Sequence, residues 1–308
     1  MAVSSPTPYL DALRRDGFVK IPHLLSSEML SALRVASKNT TDNARQGRWP
    51  HVRTVPKQYL PWQDWKPGDN IWGVQHLLHP EMSDRDSFAD LYFSQEVLSV
   101  VEELVGLKGD PEANDKLVME LFNLLISPAD NTDFELCWHR DDIRPDVSLE
   151  EEARQLSEKS PNGQQLHAQY NIALFDDASL IVIPGSHRRV RTDTERTASP
   201  CEASLPGQLI VELGPGDAVF YDSNILHRGV YKGIDASQTL GRMTLHGSVG
   251  LADHGPQRAR QVLQHAVGQW VDRARFKTDD MTGVRAEAMR KRLVAMGRGE
   301  NVGYSLMG

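Results

Sequence analysis

The chain has 308 residues, of which 40% are hydrophobic and 25% charged, with a formal net charge of −8. This composition excludes a disordered or collagenous chain, and the acidic balance argues against bulk capture of nucleic acid or of an anionic membrane. Two cysteines, Cys137 and Cys201, are too few for a disulfide framework or a cysteine-rich zinc site, so a reducing, cytoplasmic setting is expected.

The first elements read as helix, strand, helix. Tyr9 to Arg15 is amphipathic and stops at Gly17; Phe18 to Ile21 reads as a strand ending at Pro22; Ser26 and Ser27 cap a longer helix with Met29, Leu30, Leu33 and Val35 as its apolar residues. Residues 48–92 differ. Trp49, Trp62, Trp65 and Trp72 fall among five prolines and no period of 2 or 3.6 is sustained, which predicts an insertion packed by aromatics and suited to a lid or binding loop. Ser94 then caps a helix to Leu104 with Val97, Leu98, Val101 and Leu104 on one face.

The β-rich half begins at residue 117. Its first stretch, 117–126, holds Glu120 and Asn123 and is too short to span a bilayer. Candidate strands are 117–127, 133–138, 167–175, 179–184, 208–213, 217–222 and 239–249, with a charged helix capped at Ser148 among them. Strands separated by short turns predict a sandwich or jelly roll, mainly β with flanking helices, in a single domain over 1–308. The helical extension 256–308 either closes the core or meets a second copy in a homodimer.

The chemistry centres on His139 and Asp141. Residues two apart on a strand share a face, so this imidazole and carboxylate can meet one ion. His79-Pro80-Glu81 has the same spacing, but proline interrupts a strand ladder. His227 follows 217–222, and Arg242 lies 15 residues beyond it, across a loop read as an insertion. Two histidines and one carboxylate on one side of an ion leave open positions, as in non-haem iron oxygenases, and an arginine offers a fork for a 2-oxoacid's far carboxylate. On 167–171, His167, Gln169 and Asn171 share one face and Tyr170 takes the other; alternation does not say which face is internal. Tyr170 is assigned to the co-substrate. Cys137 reads as a small buried hydrophobe, His187 as a structural turn residue, and Arg188, Arg189 and Arg191 as a solvated basic run.

Four segments carry a family resemblance. They are Asp16 to Pro22, Cys137-Trp138-His139-Arg140-Asp141, Ser179 to His187, and Gly216-Asp217 through His227-Arg228-Gly229. In order and spacing the chain resembles the phytanoyl-CoA dioxygenase-like branch of the Fe(II)/2-oxoglutarate oxygenases over roughly residues 9–250. The resemblance implies a double-stranded β-helix, a cupin-like jelly-roll barrel. It implies Fe(II) on His139, Asp141 and His227, and 2-oxoglutarate as co-substrate on Arg242. It also implies oxidation of a small hydrophobic metabolite by molecular oxygen, in secondary metabolism. Halogenases of this class carry a small residue at the position of Asp141, so an oxygen-linked outcome is expected. The competing readings are an acyl-CoA or fatty-acyl hydroxylase, in which the basic run would meet CoA phosphates, a cupin-like metalloenzyme without 2-oxoglutarate, and a non-catalytic metal-binding module.

Overall fold

A computed structural model describes residues 6–58, 64–159, 165–235, 241–254, 258–259, 262–263 and 266–297. The N-terminal helix α1 (Pro8–Asp16) ends where Gly17 takes a φ of +83° and donates its N–H to Leu13 O at 2.7 Å. A side chain there would meet the His187 ring at 2.5 Å, so glycine serves both the turn and the close approach of that histidine. Strand β1 (Phe18–Ile21) follows, then α2 (Ser27–Arg45), whose cap Ser26 accepts from Met29 N at 3.1 Å.

The stretch read as an insertion is built into the sheet. It supplies β2 (Val52–Thr54), β3 (Ile71–Val74) and the whole of α3 (Arg85–Tyr92). Trp49 is buried and donates to Gln75 O at 3.0 Å, whereas Trp62 lies outside the described residues. Strands of three and four residues are too short to show a period; β3 is defined by pairing with β4, and β2 by pairing with β3. Next come α4 (Gln95–Leu104), capped by Ser94, the short α5 (Ala113–Lys116), β4 (Leu117–Ile126), β5 (Phe134–Glu135) and α6 (Leu149–Lys159). The remaining elements are β6 (His167–Ala173), β7 (Asp177–Val182), α7 (Asp193–Thr197), β8 (Leu209–Leu213), β9 (Ala218–Tyr221), β10 (His227–Tyr231), β11 (Met243–Leu251) and a C-terminal helix, Met281–Met296. The sequence reading had no strand at β10, where Arg228 and Gly229 dilute the apolar signal.

The strands form two antiparallel sheets, β1-β9-β6-β11-β4-β3-β2 and β5-β10-β7-β8. Ala173, Val219 and Tyr221 of the first pack against Leu180, Val182, Val211 and Leu213 of the second. This is the jelly-roll arrangement, two facing sheets rather than one continuously bonded barrel. Helices cover the outer face of the larger sheet. Leu33 of α2, Phe88 and Leu91 of α3, Val97 and Val101 of α4, and Met289 and Leu293 of the C-terminal helix join Phe122, Leu124, Ile172, Leu245 and Val249 in one core. The C-terminal helix thus packs on the sheet of its own chain. Among the described residues no helix is long and apolar enough to cross a membrane.

The cysteine reading is corrected. Cys137 is joined to Cys201 by a disulfide, with Cα atoms 4.1 Å apart. Trp138 N donates to Pro200 O at 2.9 Å, which lays the 199–202 turn beside the 137–138 segment. That neighbourhood spans 64 residues of sequence and leaves no local signal.

Candidate metal centre and its cavity

His139 and His227 meet in an isolated antiparallel bridge, each backbone N–H donating to the other's carbonyl at 3.0 and 3.1 Å. The bridge sets the two rings 4.3 Å apart between centroids. Each ring is oriented in the same way. His139 Nδ1 lies 2.7 Å from Cys137 O and His227 Nδ1 lies 2.8 Å from Ile225 O, the carbonyl two residues back in each case. Donation from Nδ1 to a carbonyl leaves both Nε2 lone pairs available and holds each ring at one angle, as metal-binding histidines require. Asp141 is anchored through its backbone N–H to Ser223 O at 2.8 Å. Its Oδ1 lies 3.5 Å from His139 Nε2 and 3.7 Å from His227 Nε2. Its Oδ2 accepts from Gln169 Nε2 at 2.8 Å.

The electrostatics suit a cation. Burial, reinforced by His139, pushes His227 down to about 4, so its ring is neutral and basic toward a metal. Burial alone would raise the Asp141 carboxyl, yet His227, His139 and the Gln169 amide hold it well below the usual carboxylate range. Ligand atoms of all three residues fall within 4.8 Å of one another. Two imidazoles and one carboxylate are the donor set of a non-haem iron site, and the residues fit that group.

Arg140, between the ligands in sequence, points the other way. It pairs with the fully buried Glu152 of α6 at 3.1 Å and donates to Ser186 O at 3.0 Å and Arg189 O at 2.9 Å. Glu152 also holds Arg191 at 3.2 Å and pairs with Arg196. Arg189 pairs with Glu195, and Arg188 donates to Arg15 O at 3.0 Å. The basic run is therefore engaged within the chain, bracing the metal motif from behind. His187 is buried over Gly17 in its turn, and Ser186 Oγ accepts from Leu226 N at 2.8 Å. His79 lies away from the centre, its ring among Trp49, His51 and Trp270.

The triad opens on a cavity between the sheets. Arg242, at the start of β11, lines it. Its Nε donates to Asp177 Oδ2 at 2.9 Å and its guanidinium lies 4.5 Å from the Tyr231 ring centroid. Asp177 is itself held by Thr244 and by Ser179 N, so the arginine is fixed in place, while its buried Nη1 makes no hydrogen bond among the described residues. A buried orphan donor costs stability unless something accepts from it, and the carboxylate of a bound acid would do so.

The assignment of Tyr170 to this side is corrected. Alternation along β6 puts Ala168, Tyr170 and Ile172 in the helix-covered core, and Tyr170 packs on Phe122 and Phe220 at centroid distances of 6.4 and 5.2 Å. Gln169 and Asn171 take the cavity face. Sequence reasoning also missed Arg53, Gln58, Trp72 and His246 in the wall. His246 had a readable signal. Arg242, Thr244, His246 and Ser248 alternate with the apolar Met243, Leu245 and Val249 along β11, the pattern of a strand with one polar face. Arg53 had none, being on a three-residue strand.

The family profile described as phytanoyl-CoA dioxygenase matches residues 13–230. The match includes His139, Asp141 and His227 but stops short of Arg242, whose placement rests on the geometry above. No curated protein matches the chain. Similar solved structures include AviO1 from Streptomyces viridochromogenes Tue57, at 18% identity and a TM-score of 0.51, covering 81% of this chain and 96% of that one. EctD from S. alaskensis, solved with 2-oxoglutarate and 5-hydroxyectoine, is 18% identical with a TM-score of 0.53, covering 80% of this chain and 76% of its own. HygX from Streptomyces hygroscopicus, solved with nickel and 2-oxoglutarate, is 17% identical with a TM-score of 0.53, covering 79% and 85%. At these identities the likeness is one of fold.

Proposed function

This chain belongs to the phytanoyl-CoA dioxygenase family and is an Fe(II)/2-oxoglutarate-dependent oxygenase, and from that premise we propose that it hydroxylates or otherwise oxidises a C–H bond of a small metabolite, in a tailoring step of secondary metabolism. The observation that carries the reading is one cavity holding both the His139-Asp141-His227 cluster and Arg242, whose buried Nη1 makes no hydrogen bond among the described residues. His139, Asp141 and His227 would hold the iron, and Arg242 would take the far carboxylate of 2-oxoglutarate. When bound, iron and 2-oxoglutarate supply, with molecular oxygen, an oxidising power that no protein side chain has.

The chain's own part is orientation, charge and exclusion of water. The carbonyls of Cys137 and Ile225 fix the tautomer and the aim of the imidazoles, leaving both Nε2 lone pairs toward the ion. Gln169 fixes one oxygen of Asp141 and leaves the other for the ion. Asp177 and Tyr231 set the plane of the Arg242 fork. Leu121, Leu125, Leu136 and Leu180 give the cavity dry walls, in which those charges act more strongly than in water. The carboxylate at position 141 supports an oxygen-linked product over a halogenated one. A CoA ester finds little support, because Arg189 and Arg191 are paired with Glu195 and Glu152.

Anaerobic titration with Fe(II) and then 2-oxoglutarate tests the assignment through the weak visible charge-transfer band of such complexes. The band should form in the wild type and be lost in His227→Ala. In Arg242→Leu it should need at least about tenfold more 2-oxoglutarate, since truncating one partner of a buried charged pair costs roughly 2–5 kcal/mol. Iron bound without any band would sink the reading in favour of a cupin-like enzyme that does not use 2-oxoglutarate.

A further inference from the structure

One imidazole in the cavity has no part in the chemistry above. His246 lies in the middle of β11, in register with Asn171 of β6 on one side and Asn123 of β4 on the other. His246 Nδ1 and Asn171 Oδ1 are 2.9 Å apart, and both side chains line the cavity. No second hydrogen bond is made by either side chain among the described residues, and Asn123 Nδ2 beside them has none either. Burial, with help from Arg53, pushes the ring's pKa down to about 3, so His246 is neutral at physiological pH.

The hydrogen-bond inventory then gives a result that does not depend on tautomer or amide orientation. A neutral imidazole has one N–H and one bare nitrogen, and a carboxamide has N–H donors and an accepting oxygen. If the ring donates from Nδ1, its Nε2 is left as an acceptor and the amide keeps its donors. If the amide is turned and donates to Nδ1, the ring keeps an Nε2–H donor and the amide keeps its oxygen. Either way the pair offers the cavity one donor and one acceptor side by side. Gln169, which holds Asp141, is the next inward residue on β6, about 7 Å along the strand from Asn171 at the usual rise.

We propose that Asn171 and His246 are the substrate-recognition pair of this site, and that the substrate carries a hydroxyl or secondary amide, a group that donates and accepts at once, on a hydrocarbon frame held by the leucine walls. The inference rests on reading the cavity as an oxygenase active site, and it narrows the hydrophobic metabolite of the sequence reading. A pure hydrocarbon would bury both polar groups unpaired, and sites built to hydrogen-bond a ligand reject analogues lacking the group far more strongly than apolar pockets reject a missing methylene.

The test uses the full chain labelled with [15N]histidine and loaded with Zn(II) and 2-oxoglutarate, which keeps the ring signals sharp. The probes are 2-piperidone, a secondary amide, and N-methyl-2-piperidone, which lacks the donor. The His246 ring signals, assigned by their loss in His246→Gln, should shift with 2-piperidone. The N-methyl compound should bind at least about tenfold more weakly, and Asn171→Leu should weaken 2-piperidone to the same degree. A second arm repeats the anaerobic Fe(II)/2-oxoglutarate titration on His246→Gln and Asn171→Leu, where co-substrate affinity should stay within about threefold of wild type. Equal responses to the two probes, or no response of His246 to 2-piperidone, would overturn the proposal. So would loss of the charge-transfer band in the variants, which would give the pair to the co-substrate instead. Absence of the band in the wild type itself would strike the oxygenase reading, and the ring signals would still judge the pair.

Discussion

The two faces of the seven-stranded sheet are made from the same strands and do opposite work. The outer face of β6 and β11 presents Ala168, Tyr170, Ile172, Leu245 and Val249 to the helices. One residue over, the inner face presents Gln169, Asn171, Arg242, His246 and Ser248 to the cavity. The polar groups sit where their partners can be ligands, and the apolar ones sit where water is excluded. A one-residue slip of β6 or β11 would exchange the two sets, so the apolar core also fixes the register of the site.

The contrast can be broken first at the metal cluster. Asp141→Ala should remove turnover by more than the about 100-fold that loss of an outer hydrogen-bond partner costs, while the thermal unfolding midpoint of the iron-free protein stays near that of wild type. Wild-type 2-oxoglutarate consumption by that variant would show that the cluster is misassigned. The outer face should behave in the reverse way. Tyr170→Ala should cost about 3–5 kcal/mol in chemical denaturation, as large aromatic truncations in cores do. Tyr170→Phe should be within about 0.5 kcal/mol of wild type, because the buried hydroxyl makes no hydrogen bond among the described residues. A clear loss of 2-oxoglutarate affinity in Tyr170→Phe would return that residue to the co-substrate side.

A smaller effect sharpens the inner face. Gln169→Leu removes the amide on Asp141 Oδ2 and should weaken iron binding or turnover by about 10–100-fold with little change in stability; an unchanged iron affinity and rate would make that hydrogen bond incidental. The smallest effect belongs to the far end of the helix-covered core, where His79 is buried against Trp49 and Trp270. Burial, with His51 beside it, pushes His79 down to about 4, whereas an unfolded imidazole titrates near 6.5. The unfolded chain takes up that proton first. The contribution of His79 is therefore complete above about pH 6.5 and is lost as pH falls toward about 4. His79→Gln should flatten the decline of the unfolding midpoint across that window, and an unchanged slope would remove His79 from the account.

Much of this was legible along the chain because it is local. Ser26 and Ser94 cap helices through atoms three residues away, and Gly17 ends α1 by its own conformation. The His139-x-Asp141 spacing works through strand alternation alone. Other features were illegible because their cause lies far off in sequence. Glu152 gathers Arg140 and, from a single stretch much further along the chain, Arg191 and Arg196, so the basic run looked solvated until its partner was seen. Likewise β2 and β3 exist as strands because β4 offers β3 an edge.

The sequence by itself determined the family pattern, the metal-binding residue types, the helix boundaries and the existence of two distinct faces on each strand, since these depend on neighbours within a few residues. The tertiary structure alone decided which face is internal. Alternation is symmetric, and only the helices packed on one side exclude water there. That choice sent Tyr170 to the core and Asn171 to the cavity, and it placed His246 beside Asn171 through a strand register that no local pattern encodes.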